Sequence, residues 1–393
     1  MTFWPKVKLG EIASVQMGQS PPGETYNSTG IGLPFFQGKA EFGDEHPVAI
    51  KWCSQPTRIA EAGDILLSVR APVGPTNFAA QRCCIGRGLA AIRTKTERSD
   101  QYFLHYFLRR FEEDIAARGV GSTFAAINRK DIESLELPLP PLAKQQRIVK
   151  LLDEAEELRK LRARADRRTA DLIPALFHEM FGDPITNPRN WGLSSLAEVG
   201  KLDRGRSKHR PRDEPSLYGG RYPFIQTGDV ANANGIVSTF TQTYSEKGLA
   251  QSRIWPAGTL CITIAANIGK TAVLGFPACF PDSLVGFVPS EKVVVEYVRQ
   301  WLVTMESRLE EDAPQAAQKN INLKILNALK IPVPPLSLQE EFARRVAEIR
   351  ALQAGQAESR QHLDDLFQSM LHRAFNGELY PARSRTAAPA GGR

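Results

Sequence analysis

The sequence predicts an α+β protein in which two similar, strand-rich globular units with some helices are separated by two long helices that pair as an antiparallel coiled coil. Three observations predict this fold class. Two proline-rich segments repeat at a constant spacing, shorter motifs repeat around them in the same order, and a long helical pattern follows each proline-rich segment. The length of 393 residues suits about two to three domains of ~100–200 residues each.

The proline-rich segment Leu-Pro-Leu-Pro-Pro-Leu at residues 137–142 returns as Ile-Pro-Val-Pro-Pro-Leu at residues 331–336. The same offset of 194 residues relates Gln145 to Gln339. A repeat this long has the size of a whole domain with a helix, not of a solenoid repeat. Each proline fixes its own φ and favours an extended residue before it, so each segment forms a stiff strut that cannot join a helix. We therefore expect both long helices to begin directly after the struts.

Shorter motifs repeat in the same order. Leu-Gly-Glu-Ile at 9–12 resembles Leu-Ala-Glu-Val at 196–199, and Pro-Phe-Phe-Gln at 34–37 resembles Pro-Phe-Ile-Gln at 223–226. Short apolar runs at 65–69 and 260–264 are bounded by glycine and proline, which is typical of strands. Helical spacing of apolar residues recurs at 101–118 and 294–311. The predicted division is into globular units at 1–136 and 187–330, a strut with a long helix at 137–186 and again at 331–380, and a disordered tail at 381–393.

A seven-residue step along the long helices places apolar residues near the ends of each helix and polar or small residues near its middle. This pattern predicts a two-helix coiled coil with a softer centre. The alternative is that each helix packs on its own globular unit. Pro174 predicts a kink or break just before it. The predicted seam residues are Ile148, Leu151, Leu158, Leu172, Phe342, Ile349, Leu352, Leu363 and Leu366.

The search for catalytic and cofactor motifs is negative. Residues 267–271 end in Gly-Lys-Thr like a phosphate-binding loop, but Ile264 stands where that loop needs a glycine. The six histidines and five cysteines lack metal-ligand spacing, and an odd number of cysteines suits reduced thiols in the cytoplasm. No apolar run approaches the ~20 residues that span a bilayer. We expect a cytoplasmic protein without catalytic residues, metal, bound cofactor or membrane segment.

Basic and amide-rich segments indicate nucleic acid as a partner. The net charge is +7, and residues 204–212 carry five formal positive charges, although a solvated charge run is the alternative. The loops before the struts combine amides, hydroxyls and cations, and there Asn128 and Asn322 are equally suited to cap the following helices. The candidate DNA-binding residues are Gln19, Ser20, Arg70, Asn77, Arg87, Ser122, Thr123, Arg129, Lys130, Arg204, Arg206, Lys208, Arg210, Arg212, Asn267, Lys270, Gln318, Lys319 and Asn320.

With these motifs in order, the chain resembles the DNA-specificity subunits of type I restriction–modification systems. The resemblance is carried by the two struts with Gln145-Gln146 and Gln339-Glu340, by Leu-Phe-His-Glu-Met-Phe-Gly-Asp-Pro at 176–184, and by the Gly-Ser…Ile-Asn segment at 121–128. It covers the whole chain except the tail. The second unit departs from the Gly-Ser form at 313–320, which puts the contacts of that loop in doubt.

The resemblance implies two target-recognition domains, each binding one half of a bipartite sequence in double-stranded DNA. It implies that the paired helices set the spacer length and dock methyltransferase subunits, expected to be two, with restriction subunits joining through the complex. S-adenosylmethionine, ATP and magnesium would belong to those partners, and this chain would bind no cofactor. Two alternatives are a stand-alone DNA methyltransferase or nuclease with an unrecognised motif and a helical protein-interaction scaffold.

Overall fold

The computed structural model of the chain describes residues 4–95, 97–119, 126–209, 211–265, 268–306 and 322–379. The chain divides into two compact units: unit 1 consists of Met1–Ala163 with Glu358–Arg393, and unit 2 consists of Arg164–Ala357. Both divisions fall inside a long helix, so each unit combines a globular region with part of both long helices. The linear division into five segments stays a prediction.

The first half of the chain contains, in order, β1 Lys6–Lys8, α1 Leu9–Ile12, β2 Ala13–Met17, β3 Tyr26–Asn27, β4 Leu33–Phe36, β5 Trp52–Cys53, β6 Ile59–Ala60, β7 Ile65–Ser68, β8 Thr76–Phe78, β9 Cys83–Ile85, β10 Leu89–Thr94, α2 Gln101–Arg110, α3 Glu112–Ala117, α4 Arg129–Glu133, β11 Glu136–Pro138 and α5 Leu142–Ala170. The second half contains α6 Leu172–Phe181, β12 Leu193–Ser195, α7 Leu196–Val199, β13 Gly200–Arg204, β14 Tyr218–Phe224, α8 Thr227–Ala231, β15 Ile236–Val237, β16 Gln242–Tyr244, α9 Glu246–Ala250, β17 Leu260–Thr263, β18 Thr271–Leu274, β19 Leu284–Pro289, α10 Val295–Thr304, α11 Leu323–Ala328, β20 Lys330–Pro332 and α12 Leu336–Phe375.

The two units contain equivalent sheets. The order β2-β10-β7-β8 in unit 1 corresponds to β13-β19-β17-β18 in unit 2, where β15 adds a parallel strand. The register is also equivalent, since Ile65 pairs with Phe78 and Leu260 pairs with Val273. Unit 1 has a further five-stranded sheet with the order β3-β5-β4-β9-β6. The predicted α+β fold with a duplicated unit is therefore confirmed.

Each strut begins as a strand of its own globular region. Strand β11 pairs antiparallel with β1, and β20 pairs antiparallel with β12. One residue later, the Leu139 N–H donates to the Pro5 carbonyl over 2.9 Å, and the Val333 N–H donates to the Gly192 carbonyl over 2.8 Å. The helices α5 and α12 then begin directly after the last proline of each strut, as predicted. Both helices therefore leave their globular regions from equivalent, hydrogen-bonded positions.

A fully buried glutamine in the first turn of each long helix fixes that helix to its strut. The Gln145 Nε2 donates to the Pro140 carbonyl over 2.8 Å and to the Arg98 carbonyl over 2.7 Å, and its Oε1 accepts from the Asp100 N–H over 2.8 Å. The equivalent Gln339 has the same set of partners 194 residues later, namely the carbonyls of Pro334 and Lys292 and the N–H of Val294. A single amide therefore joins the strut, the helix and the segment that enters α2 or α10. We call each of these two amides a glutamine bridge.

The break near Pro174 and the pairing of the two long helices agree with the sequence prediction. Helix α5 ends at Ala170 and α6 begins at Leu172, so the break expected just before Pro174 is confirmed. In unit 1 the Arg159 Nε lies 2.6 Å from the Asp364 Oδ1. In unit 2 the Thr169 hydroxyl donates to the Gln356 Oε1 over 2.7 Å. The middle of the helix pair is polar in both units, which matches the predicted softer centre.

The predicted seam register differs from the observed one. Ile148 and Phe342 are fully buried, and Leu151, Ile349 and Leu363 are partly buried. Four other predicted seam residues are about half exposed: Leu158 (50%), Leu172 (39%), Leu352 (51%) and Leu366 (49%). The physical reason is that the first turns of α5 pack on their own globular region, so the buried positions follow the 3.6-residue helical period through Leu152 and Ala155.

We predict that Gln145→Leu lowers the free energy of unfolding of unit 1 by ~1–3 kcal/mol, because it leaves a backbone donor and two carbonyls without their partner. The same substitution at Gln339 acts on unit 2. Hydrogen exchange at the Asp100 or Val294 amide, respectively, accelerates because the amide loses its acceptor. Chemical denaturation and exchange mass spectrometry measure the two effects.

The control is Gln146→Leu, which adds the same side chain at the neighbouring exposed position. Equal stability and equal exchange in the Gln145→Leu and Gln146→Leu proteins would contradict the role of the glutamine bridge.

Candidate nucleic-acid interface

Several predicted DNA-binding residues of unit 1 surround one cavity of about 360 Å³. Its lining includes Ser20, Tyr26, Gln37, Arg70 and Arg87, and we call it the basic cavity. Ser20 follows β2, Arg70 follows β7, and Arg87 lies in the turn between β9 and β10. The ends of neighbouring strands therefore bring residues distant in sequence to one place.

The loop that carries Gln19 and Ser20 approaches the turn at residues 86–88 closely because residue 18 is glycine. A Cβ at Gly18 would lie 2.1 Å from the Gly86 carbonyl oxygen. The Gln19 N–H donates to the Ile85 carbonyl over 3.0 Å, and the Ser20 Oγ accepts from the Arg87 N–H over 3.4 Å. These backbone contacts hold the loop while the Gln19 side chain stays exposed.

The cations of the basic cavity are available to a ligand. The Arg70 and Arg87 side chains are exposed and form no hydrogen bond or ion pair with any described residue. Beside them, partial burial raises the pKa of the Tyr26 hydroxyl, which therefore stays neutral at pH 7; it donates to the Pro21 carbonyl over 2.7 Å and can accept from a ligand. Arginine and amide or hydroxyl groups at one site can bind phosphates and base edges.

The predicted loop before the first strut ends beside this cavity. Ala126 forms an antiparallel bridge with Arg70, and the Ile127 N–H donates to the Val69 carbonyl over 3.1 Å. Asn128 caps α4 through its Oδ1, and Asn322 caps α11 in the same way, which favours the capping interpretation for both. The predicted Ser122 and Thr123 lie outside the described residues.

Three other predictions in unit 1 have different outcomes. Lys130 is exposed and its ammonium has no partner among the described residues, which suits a phosphate contact. Arg129 is exposed but lies 2.7 Å from the Glu133 carboxylate. Asn77 is only 3% exposed and its Nδ2 donates to the Gly43 carbonyl over 3.1 Å. Asn77 is therefore a wrong prediction, because burial on β8 keeps it from a DNA surface.

In unit 2 the basic segment, residues 204–208, begins with the last residue of β13 and continues beyond that strand. Side chains alternate, so Gly205 and Ser207 are buried while Arg204, Arg206 and Lys208 are exposed. A Cβ at Gly205 would lie 2.3 Å from the Pro281 carbonyl oxygen, so only glycine permits this approach. The three exposed side chains form no hydrogen bond or ion pair with any described residue. The segment thus presents three cations on one side.

Two other predicted cations of unit 2 are neutralised by acidic residues. The Arg212 Nη2 lies 2.8 Å from the Asp282 carboxylate, and the Lys270 Nζ lies 2.5 Å from the Glu306 carboxylate. Each side chain would have to exchange its ion pair for a phosphate contact in order to bind DNA, and the two assignments stay predictions. The remaining predicted residues of unit 2 lie outside the described residues: Arg210, Asn267, Gln318, Lys319 and Asn320.

Two residues of the basic cavity, Tyr26 and Gln37, were not predicted. Gln37 ends the repeated Pro-Phe-Phe-Gln motif, so the repeat was a signal that could have indicated it. Its equivalent in unit 2, Gln226, is exposed and hydrogen-bonded to Gln242. Tyr26 stacks on Phe35 with ring centroids 4.7 Å apart, and no sequence pattern indicated it.

The described part of the chain offers no alternative metal or membrane site. Within it, no group of three or more His, Cys, Asp or Glu side chains is arranged to hold a metal ion. Likewise, no helix among the described residues is both long and apolar enough to cross a bilayer.

Comparison with known proteins gives one consistent result. A family model described as the type I restriction modification DNA specificity domain matches residues 1–164 and 188–356. The chain is 45% identical over 157 residues to the putative type I restriction enzyme MjaX specificity subunit of Methanocaldococcus jannaschii, which covers 39% of the chain and 37% of that protein. It is 25% identical over an alignment of 423 positions to the type I restriction enzyme EcoDI specificity subunit of Escherichia coli, which covers 96% of the chain and 88% of that protein.

A solved structure supports the fold independently. The S subunit of a type I restriction-modification system from M. genitalium superimposes with a TM-score of 0.58 at 17% identity, covering 95% of the chain and 96% of that subunit. The family model matches most of the chain and matches each of the two repeated regions separately. The chain therefore belongs to the family of type I restriction–modification DNA specificity domains.

Proposed function

We propose that this chain is the specificity subunit of a type I restriction–modification complex and that each of its units binds one half of a bipartite DNA sequence. The observation that carries the proposal is one fold present twice with two different exposed basic surfaces. Unit 1 has Arg70 and Arg87 at the basic cavity, and unit 2 has the three cations of the basic segment. Two differently charged copies suit two different half-sites.

Two features support DNA as the ligand. The exposed cations have no acidic partner among the described residues, so counterions rather than carboxylates neutralise them in the absence of DNA. The neighbouring amide and hydroxyl groups of Gln19, Ser20 and Gln37 can donate to and accept from base edges. The chain itself acts as a recognition subunit and not as an enzyme.

The long helices are proposed to set the spacer between the half-sites. Helix α12 has 40 residues and is therefore about 60 Å long. Both long helices begin at equivalent glutamine bridges, so the start of each helix is fixed relative to its own globular region. Half-site spacing depends on the distance and rotation between recognition elements, and two stiff helices fix both.

The exposed leucines of the long helices support docking of partner proteins. Leu158 and Leu366 belong to unit 1, and their equivalents Leu352 and Leu172 belong to unit 2. Unit 1 also exposes Leu161 (49%), one helical turn from Leu158, so the exposed leucines of that unit lie close together on α5. Contiguous exposed apolar surface marks protein interaction sites. We propose one methyltransferase subunit per unit, with restriction subunits joining through the complex. S-adenosylmethionine, ATP and magnesium would bind to those subunits.

A cytoplasmic location is part of the proposal. All five cysteines are buried and unpaired, which suits a reducing compartment.

One prediction from the proposed function concerns the exposed cations of the two units. We compare two variants in the complex with the methyltransferase partner, R70A/R87A and R204A/R206A/K208A. Each is expected to weaken specific DNA binding by at least about tenfold at physiological salt, because phosphate contacts are lost. Each lost phosphate contact is also expected to lower the slope of log affinity against log salt concentration by about 0.9. Fluorescence anisotropy over a range of salt concentrations measures both quantities. The control is R82A/R344A, which removes two exposed arginines that are paired with Glu61 and Glu341. Unchanged affinity in both test variants would contradict the proposed surfaces.

The second prediction concerns the spacer. Inserting seven helix-forming residues after Ala163 and seven after Ala357 lengthens the helix pair by about 10 Å. The recognised spacer is then expected to grow by about three base pairs, at 3.4 Å for each pair. Mapping of methylated sites in cells that express the complex measures the spacer. The same seven residues added after Arg393 serve as the control. An unchanged spacer in the doubly lengthened chain would refute this role of the helices.

The third prediction concerns subunit docking. Leu158→Glu or Leu352→Glu is expected to remove one methyltransferase subunit from the complex, because a charge replaces an apolar contact, and the double variant is expected to remove both. Native mass spectrometry counts the subunits. The control is Leu193→Glu, at an exposed leucine on β12. Full occupancy in the double variant would show that these leucines are not docking residues.

A further inference from the structure

Unit 1 contains a second cavity, of about 570 Å³, that differs in chemistry from the basic cavity. It lies between β8, α2 and α5 and next to the loop at residues 44–45, and we call it the acidic cavity. Five carboxylates line it, against the two cations Arg109 and Lys160. The carboxylates belong to Asp44, Glu45, Asp153, Glu156 and Glu157.

The two lining cations do not neutralise every carboxylate of the acidic cavity. Glu156 lies 2.9 Å from Arg159, so its charge is already paired, whereas Glu45 has only Lys160 at 3.4 Å. Asp153 accepts a hydrogen bond from the Tyr106 hydroxyl over 2.7 Å and forms no ion pair with a described residue. Burial raises the pKa of the Asp153 carboxyl, because its charge is poorly solvated there. Asp44, Glu45 and Asp153 therefore provide the acceptors that a cationic ligand would meet.

Two polar atoms of residues that line the acidic cavity are buried without hydrogen-bond partners, which also indicates a ligand site. Asn77 lines the cavity at 3% exposure, and its Oδ1 is buried with no hydrogen-bond partner. The His105 Nδ1 is likewise buried without a partner, and burial lowers the pKa of this ring to about 3, so the ring is neutral at pH 7. A buried acceptor without a donor costs on the order of 1–3 kcal/mol. A donor that reaches the Asn77 Oδ1 from the cavity would remove the cost of that atom.

Unit 2 shows which group fits this place in the fold. The Phe78 N–H donates to the Glu45 carbonyl in unit 1, and the Val273 N–H donates to the Gly235 carbonyl in unit 2, so residues 45 and 235 are equivalent. At the 194-residue offset, the helix positions of Tyr102, His105 and Glu156 are occupied in unit 2 by Glu296, Arg299 and Arg350.

There the protein supplies its own guanidinium groups. The Glu296 carboxylate lies 2.7 and 2.8 Å from two nitrogens of Arg350 and 2.9 Å from the Nε of Arg299. Residue 235 favours glycine because its φ is +92°, a conformation that other residues rarely adopt, and the missing Cβ leaves room for the Arg350 guanidinium. In unit 1 the equivalent position carries the acidic Glu45 and no arginine enters from 156. The same place is thus filled by two guanidinium groups in unit 2, whereas in unit 1 it is an open cavity in which carboxylates outnumber the cations Arg109 and Lys160.

We propose that the acidic cavity of unit 1 binds the guanidinium group of an arginine side chain presented by a second protein chain. Charge complementarity carries the choice of partner, since Glu45 and Asp153 supply carboxylates and Asn77 supplies a buried acceptor. This interaction is separate from DNA binding, because the acidic cavity and the basic cavity of unit 1 share no lining residue and have opposite charge.

The cavity walls favour arginine over a metal ion or a lysine. No metal-binding cluster exists among the described residues. Aromatic rings form part of the wall, with Phe78 centred 4.4 Å from His105 and 5.0 Å from Tyr102. A planar guanidinium stacks on aromatic rings and donates to two carboxylates at once, whereas an ammonium does only the latter and is more strongly hydrated.

The test uses the full chain with ¹³C-labelled histidine rings and no DNA or methyltransferase, so its outcome does not depend on the proposed function. The probe is the blocked tripeptide acetyl-Gly-Arg-Gly-amide, compared with its citrulline and lysine analogues. The His105 resonance is assigned by its loss in His105→Gln. The arginine peptide is expected to shift that resonance saturably, the citrulline peptide to leave it unmoved, and the lysine peptide to bind more weakly.

Two variants complete the test. E45Q/D153N keeps the side-chain shapes but removes two negative charges. It is expected to raise the dissociation constant of the arginine peptide about tenfold or more, because one to two charge-assisted hydrogen bonds are lost. E24Q/E136Q removes two exposed carboxylates elsewhere in unit 1 and is expected to bind normally. If the double variant is less stable by thermal melting, E45Q alone replaces it, since Glu45 is exposed. No saturable shift, an equal shift with citrulline, tighter binding of the lysine peptide, or unchanged binding in E45Q/D153N and E45Q would overturn the proposal.

Discussion

The glutamine bridge is the interaction on which the rest of the structure depends. One buried amide at the first turn of each long helix joins the strut, the helix and the segment entering the neighbouring helix of the globular region. Prolines cannot continue a helix and supply no N–H, so the struts need a side chain to fix the direction of the helix that follows. Gln145 and Gln339 do this with identical partners 194 residues apart. The spacer role proposed for the long helices requires these two junctions to be alike.

The two copies diverge at their exposed surfaces and cavities. Unit 1 presents arginines at a cavity, and unit 2 presents an extended basic segment. At the junction of the globular region with the long helix, unit 2 closes the site with Glu296 and two arginines, while unit 1 leaves it open and acidic. Buried junctions tolerate little change because their hydrogen bonds must all be satisfied, whereas exposed side chains can change without loss of fold. Duplication followed by this unequal divergence explains why the two units share a frame and differ in charge.

Local chemistry made much of the fold predictable from the sequence. Prolines fixed the starts of the long helices, Pro174 marked the break before Leu172, and apolar runs bounded by glycine indicated β7 and β17. The seam register was not predictable from a heptad count, because α5 packs on the globular region as well as on its partner helix, which exposes Leu158. Contacts between residues far apart in the sequence also determine which candidate side chains are available to DNA. Arg212 is neutralised by Asp282, 70 residues away, and nothing near Arg212 in the sequence indicates that contact. The buried state of Asn77 depends equally on a distant carbonyl, that of Gly43.

The most direct test of the central claim is the DNA sequence that the chain selects in complex with its methyltransferase subunits. Selection from a random duplex pool, followed by sequencing, reports every base position that contributes to binding. The account predicts two short conserved blocks separated by a spacer of fixed length and random sequence, with one block altered when only unit 1 is exchanged for that of a relative. A single contiguous block, or two blocks at variable separation, would contradict the account.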